Sequence, residues 1–357
     1  MKMWLRMLSA AMAVLALASA QADSSSLRAL AQADDPVRWT FAASKGAVIE
    51  DTADDRSFTL WWAPPQGTPK GVIVALHGHG SFATDELYLW QPYAEKVGYA
   101  ILALQWWFGG GESTSDYYAP EEMYPIISSR LAARGVRQGS VMFIGFSRGS
   151  ANSYALAALD AAGPAARRWF GFVFSNSGGA ALDYPPTKAV DSGRYGLRPY
   201  AGLPWGLYCG EKDDDPDKSG CPAMTFSRDW VARLGAEVVQ FIDDPAGGHG
   251  GFMTNSAHVE AALATYAQVL AGPIGDAVGT LEADCLFDWG EDRYADVLQP
   301  RRSASLVSAP YYYRRYAGSN TALGISSADN RLYFLDVTGI LVDLGLAATW
   351  SSQAGCR

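Results

Sequence analysis

Val141-Met-Phe-Ile-Gly-Phe-Ser147-Arg-Gly149 is an apolar run that passes without a break into a Gly-x-Ser-x-Gly pentapeptide. A buried strand that ends in this pattern and turns straight into a helix forms a nucleophile elbow, with the serine hydroxyl standing at the tip of a sharp turn. Such a turn leaves no room for side chains at its flanks, which accounts for Gly145 and Gly149. The residues from Arg148 to Ala162 are rich in strong helix formers and stop at Gly163-Pro164. The pentapeptide alone occurs by chance in many chains. The strand before it and the helix after it make Ser147 a candidate nucleophile.

The same alternation extends in both directions. Short apolar, β-branched runs recur at Gly71–Gly78, Tyr99–Leu104, Phe172–Phe174, Trp205–Tyr208 and Val238–Ile242. Helical stretches lie between them, near 85–97, 121–134, 148–162, 223–234 and 256–271. Strands alternating with helices predict an α/β fold, a mostly parallel sheet with helices on both faces. In such sheets the chemistry gathers at the carboxyl ends of the strands. The pattern gives a catalytic domain over 55–272, preceded by a segment over 21–54 and followed by a linker over 273–280. Residues 281–357 read as a separate small α+β module. It comprises a helix (Ala283–Leu298), three strand-like runs (Ala309–Tyr316, Thr321–Ile325, Arg331–Val337) and a closing helix near Gly345–Ser352. Its aromatics, among them Tyr311–Tyr313, Tyr316, Tyr333 and Trp350, form either a sugar- or polymer-binding face or the module's own core.

The N-terminus carries Lys2 and Arg6, an apolar run from Met7 to Leu17, and Ala18-Ser19-Ala20. That is the layout of a signal peptide over 1–20, and it predicts a secreted or periplasmic protein. The run is too short to span a bilayer, and no later stretch is long and apolar enough, so no membrane partner is expected. Without residues 1–20 the chain has 26 basic against 37 acidic side chains, a net charge of −11. An acidic chain with no basic cluster argues against nucleic acid as a partner. All four cysteines follow the signal segment, and in an exported chain an even count suggests disulfides. Proximity and the domain division favour Cys209–Cys221 and Cys285–Cys356. No pair has the short spacing of a zinc site, so no metal is expected.

A serine hydroxyl needs a base to take its proton and a carboxylate to orient that base. His249, in Gly247-Gly-His-Gly-Gly shortly after the last strand of the domain, is placed to serve as the base. His258 falls inside a helix and reads as a surface or packing residue. The acid is expected after the Gly206–Cys209 strand, in Gly210-Glu-Lys-Asp-Asp-Asp-Pro-Asp. Asp213 best fits a Gly-x-x-Asp placement, with Asp214 and Asp215 as alternatives and Asp183 a more distant one. The same loop begins a calcium-binding pattern, but Phe226 stands where the bidentate Glu is required. A Cys209–Cys221 bridge would restrain the acid. His77-Gly-His79-Gly ends the first strong strand. Acyl transfer needs backbone N–H groups aimed at the developing oxyanion, which assigns those of His79 and Arg148. Trp106-Trp107-Phe108, followed by three glycines and then by Tyr117-Tyr118, offers one wall of a substrate pocket or else packing beneath a loop.

Over roughly residues 55–272 these pieces resemble the α/β-hydrolase superfamily: His77-Gly-His-Gly, Gly-Phe-Ser147-Arg-Gly, Gly210-Glu-Lys-Asp213 and Gly-Gly-His249-Gly. With a signal peptide and no large lid insertion, the chain looks like secreted esterases of the polyhydroxybutyrate depolymerase and feruloyl esterase type. It departs from them in having arginine after the serine. The resemblance implies hydrolysis of a small-molecule or polymeric ester, a plant-wall phenolic ester or a polyester, with no cofactor. One alternative is a secreted serine peptidase of prolyl-oligopeptidase type, although no propeller repeats precede the domain. The other is a non-catalytic binding protein on a hydrolase scaffold.

Overall fold

Val72–Leu76 (β3) and Ala100–Leu104 (β4) are buried at every position. They are apolar on both faces because helices cover the sheet from both sides. Side chains alternate across the sheet. Val72, Val74 and Leu76 enter one hydrophobic cluster, and Ile73 and Ala75 enter the other. In register, Val74 lies opposite Leu102 on one side and Phe143 on the other. In this computed structural model the described residues are 23–162, 168–271, 280–294, 298, 306–308, 311–316, 319, 321–326, 331–338 and 340–354. The signal peptide expected over 1–20 lies outside them.

The remaining strands are β1 (Val48–Asp51), β2 (Phe58–Trp62), β5 (Val141–Phe146), β6 (Phe170–Asn176), β7 (Pro204–Gly210) and β8 (Glu237–Asp244). The eight-stranded sheet has the order β1-β2-β4-β3-β5-β6-β7-β8. From β4 to β8 every pairing is parallel, while β1 and β2 pair antiparallel at one edge. One face is covered by α4 (Pro120–Ala133), α5 (Arg148–Ala162), α6 (Pro185–Asp191) and α7 (Cys221–Arg233). The other carries α3 (Ala83–Val97), α8 (Gly251–Thr254) and α9 (Ser256–Ala271). This is the α/β-hydrolase fold.

The expected start of the domain at residue 55 cuts through this sheet. β1 pairs with β2, and two helices, α1 (Ser24–Asp34) and α2 (Pro36–Ser44), place Leu27, Ala31 and Ala42 in the second cluster. Residues 24–54 are therefore part of the unit built on this sheet.

The C-terminal module has more strands than expected. After α10 (Thr280–Arg293) come β9 (Leu306–Ser308), β10 (Tyr311–Tyr316), β11 (Thr321–Ser326), β12 (Arg331–Leu335) and β13 (Leu341–Leu346), and then α11 (Ala347–Ala354). They form one antiparallel sheet in the order β13-β12-β11-β10-β9. Tyr316 is fully buried, Tyr312 stacks on Phe287, and the Trp350 indole donates to the Leu344 carbonyl. These three belong to the module's core rather than to a binding face. No helix among the described residues is long and apolar enough to cross a membrane.

Candidate active site

β5 ends at Phe146 and α5 opens at Arg148, leaving Ser147 alone on the turn with φ of +54°. A serine in the left-handed region is strained, and the surroundings must hold it there. Close approach of the backbone does so. A Cβ at Gly145 would lie 2.3 Å from the Gly149 carbonyl oxygen, and one at Gly149 would lie 2.5 Å from the carbonyl oxygens of Leu76 and His77. Gly178, which nothing in the sequence singles out, is equally constrained, at 2.0 Å from the Ser147 carbonyl oxygen. The Ser147 N–H donates to Asn176 O at 2.9 Å, tying the elbow to β6.

Three of the expected site residues meet. His249 Nε2 lies 2.9 Å from Ser147 Oγ, and His249 Nδ1 lies 2.8 Å from Asp213 Oδ2. Asp213 is buried, and its other oxygen accepts from the Asp215 N–H at 3.0 Å and the Ser219 hydroxyl at 2.8 Å. A carboxylate so held accepts the Nδ1 proton, which leaves Nε2 free to accept from the serine. Asp214, Asp215 and Asp183 are exposed, and Asp215 pairs instead with Lys218 at 3.3 Å. The loop is closed by the Cys209–Cys221 disulfide between the end of β7 and the start of α7. Cys285 is also disulfide-bonded. Its expected partner Cys356 lies outside the described residues.

The loop bearing His249 is anchored from beneath. Asp244 accepts from the Tyr208 hydroxyl at 3.1 Å, His258 Nε2 at 3.0 Å and the Ala246 N–H at 3.0 Å. Burial alone would raise the Asp244 carboxyl, but these hydrogen bonds hold it below the usual range. A Cβ at Gly247 or Gly251 would come within 2.2 or 2.1 Å of the Tyr208 oxygen. His258, read from sequence as surface or packing, is thus a tie that fixes the loop. Phe146 lies beneath the His249 ring with centroids 5.0 Å apart.

The loop after β3 carries His79. Arg148 is the first residue of α5, so its N–H is one of the four that a helix leaves without an internal acceptor. His77 organises the loop from inside. It is fully buried, and burial pushes its pKa down to about 4, so the ring is neutral. Its Nδ1–H donates to Gly78 O at 2.7 Å, and its Nε2 accepts from the Trp106 N–H at 3.4 Å.

Trp106 is 1% exposed and its indole donates to His77 O at 2.9 Å. It clamps the loop and is not a pocket wall, which corrects the expectation for this residue. Trp107 is half-buried and meets His79 edge-on at 5.6 Å, beside the site. Phe108 packs on Tyr118 at 4.8 Å and under the Arg56 guanidinium at 5.2 Å. Sequence reasoning missed Glu112, and it read Tyr117 only as a pocket-wall or packing aromatic. The Tyr117 hydroxyl bonds both His79 Nδ1 and the Arg148 guanidinium, and Glu112 pairs with His79 and Arg148. Among the described residues, one cluster has metal-ligand proximity, Cys209, Cys221 and Asp243. Its two sulfurs are bonded to each other and offer no thiolate.

No family model and no curated protein matches the chain. Solved structures are similar to it. The hyperthermophilic esterase of Pyrobaculum calidifontis is 12% identical, covering 69% of this chain and 93% of that one, with a TM-score of 0.48. A phospholipase/carboxylesterase of Dyadobacter fermentans is 17% identical, covering 58% of this chain and 95% of that one, with a TM-score of 0.41. The acylaminoacyl peptidase of Pyrococcus horikoshii is 15% identical, covering 63% of this chain and 41% of that one, with a TM-score of 0.47.

Proposed function

We propose that this chain is a serine hydrolase of carboxylic esters that works through an acyl-enzyme. The observation that carries the reading is the continuous hydrogen-bonded line from Ser147 through His249 to Asp213, at 2.9 and 2.8 Å, with the serine on a strained strand-to-helix turn. His249 Nε2 takes the Ser147 proton as Oγ attacks the ester carbonyl. The negative charge on the carbonyl oxygen is received by the N–H groups of His79 and Arg148. The imidazolium then gives its proton to the departing alcohol, and the Ser147 ester remains. Water, deprotonated by the same nitrogen, attacks that ester and releases the acid and the free serine. Asp213 keeps Nδ1–H in place and stabilises the imidazolium without taking its proton.

The substrate class is a phenolic or plant-wall ester or a polyester, and the protein acts outside the cytoplasm, as its first twenty residues and its disulfides suggest. The test is turnover of nitrophenyl acyl esters, methyl ferulate and peptide anilides by the wild type and Ser147→Ala. Ester hydrolysis that falls about a million-fold in folded Ser147→Ala supports the reading. Preferential cleavage of the anilides would turn it into a peptidase.

A further inference from the structure

His79 and Arg148 contribute backbone N–H groups to the proposed oxyanion site, and their side chains converge on a second target. His79 Nε2 lies 3.2 Å from one carboxylate oxygen of Glu112, and Arg148 Nη2 lies 3.5 Å from the other. The Tyr117 hydroxyl sits between them. It accepts from Arg148 Nη1 and bonds His79 Nδ1, and the guanidinium rests 5.1 Å over its ring. His79 Nε2 is the ring nitrogen that faces Glu112. The result is a fork of two nitrogens, one within ion-pair distance of each oxygen of a single carboxylate, built on the residue that follows Ser147 and on the loop after β3. Guanidinium groups suit carboxylates for this reason.

Glu112 is a loosely held occupant. Its side chain is 68% exposed and it follows Gly109-Gly110-Gly111, two of them at positive φ. Exposed ion pairs of this kind are weak and exchange readily. The receptor itself is better fixed, because Tyr117 pairs with Trp107 across a β-bridge and packs on Trp106 at 5.0 Å.

We infer that the His79–Arg148–Tyr117 fork is a receptor for a carboxylate borne by the substrate, and that Glu112 is an internal placeholder which the substrate displaces. This rests on the ester-hydrolase reading for its setting. Because the fork projects from the residues proposed to hold the oxyanion, the substrate carboxylate lies within one side-chain length of the scissile carbonyl. That is the span of a short dicarboxylic half-ester.

The experiment compares the nitrophenyl half-ester of glutarate with the neutral nitrophenyl pentanoate in wild type, Glu112→Gln and Arg148→Gln. The quantity read is the ratio of kcat/KM for the anionic over the neutral ester. Glu112→Gln is expected to raise it about tenfold, through KM, and Arg148→Gln to lower it about tenfold, the worth of one charge-assisted contact. Glutarate binding by calorimetry, to Ser147→Ala with and without Glu112→Gln, gives a readout free of catalysis. Tighter binding in the double variant is expected. A ratio that does not move among the three proteins overturns the receptor while the ester reading stands. If neither ester is hydrolysed and glutarate still binds the double variant more tightly, the ester reading fails and the receptor stands. Absence of both ester discrimination and glutarate binding overturns the inference outright.

Discussion

Asp213 stands in a run of acidic residues, and what separates it from its neighbours is burial and three hydrogen bonds. Asp213→Asn should fold and lose about ten-thousand-fold in kcat, because an amide holds the imidazole in the wrong tautomer. Asp214→Asn and Asp215→Asn should stay near wild type, since both are exposed. Steady-state rates on any turned-over ester check this, and a large loss at Asp214 instead would move the acid by one position. Ser147 and His249 are legible in the sequence because glycines crowd them, and a glycine run records close backbone approach directly. Asp213 is less so, since its burial depends on Ser219, six residues on, and on a disulfide. Glu112 leaves no local mark at all. Only folding brings a loop glutamate beside the residue after the nucleophile.

At the scale of elements, the connection from β3 to α3 makes stability depend on pH in two opposite ways. His77 is neutral when folded, with its pKa lowered from 6.5 to about 4 by burial. Its contribution is fully present above pH 6.5 and is lost as pH falls from there to about 4. Glu86, one turn into α3, is raised from 4.5 to about 8 by burial and then by the charge of Asp85, with Arg38 opposing. Its contribution is present below pH 4.5 and is lost as pH rises to about 8. Thermal midpoints of wild type and Glu86→Gln should therefore diverge between pH 4.5 and 8, with the variant gaining as pH rises. Parallel curves across that range would show that Glu86 does not titrate with folding.

The loop between β7 and α7 gives a second expectation. The Cys209–Cys221 bridge spans a separation of 12 residues, for which the chain-entropy model gives on the order of 3 kcal/mol. The acid-bearing loop lies inside it, so Cys209→Ser with Cys221→Ser should lower kcat by more than the melting temperature shift explains at the assay temperature. Full activity in that variant would assign the bridge to stability alone.

For the whole molecule, the parallel sheet was readable because each buried strand is an uninterrupted apolar run bounded by a helix. The antiparallel edge was not, since Phe58–Trp62 and Val48–Asp51 mix apolar and polar residues and have no crossover helix to mark them. In the C-terminal module β13 escaped notice for a similar reason: Leu341 and Val342 are exposed and Gly345 interrupts the strand at φ of +99°. The module has its own cluster around Leu286, Phe287, Tyr316 and Leu332. Deleting it after residue 271 should leave the unit with the eight-stranded sheet folded and active on a small soluble ester, by circular dichroism and initial rates. Loss of both would show that the two parts fold as one.

Everything proposed for the site depends on Ser147 being an activated nucleophile served by His249 and Asp213. The most direct measurement is covalent labelling by a fluorophosphonate, located by peptide mass spectrometry. One label per chain is expected, on Ser147, absent from Ser147→Ala and strongly slowed in His249→Ala. A folded protein that takes no label at Ser147, or takes it as fast without His249, would contradict it.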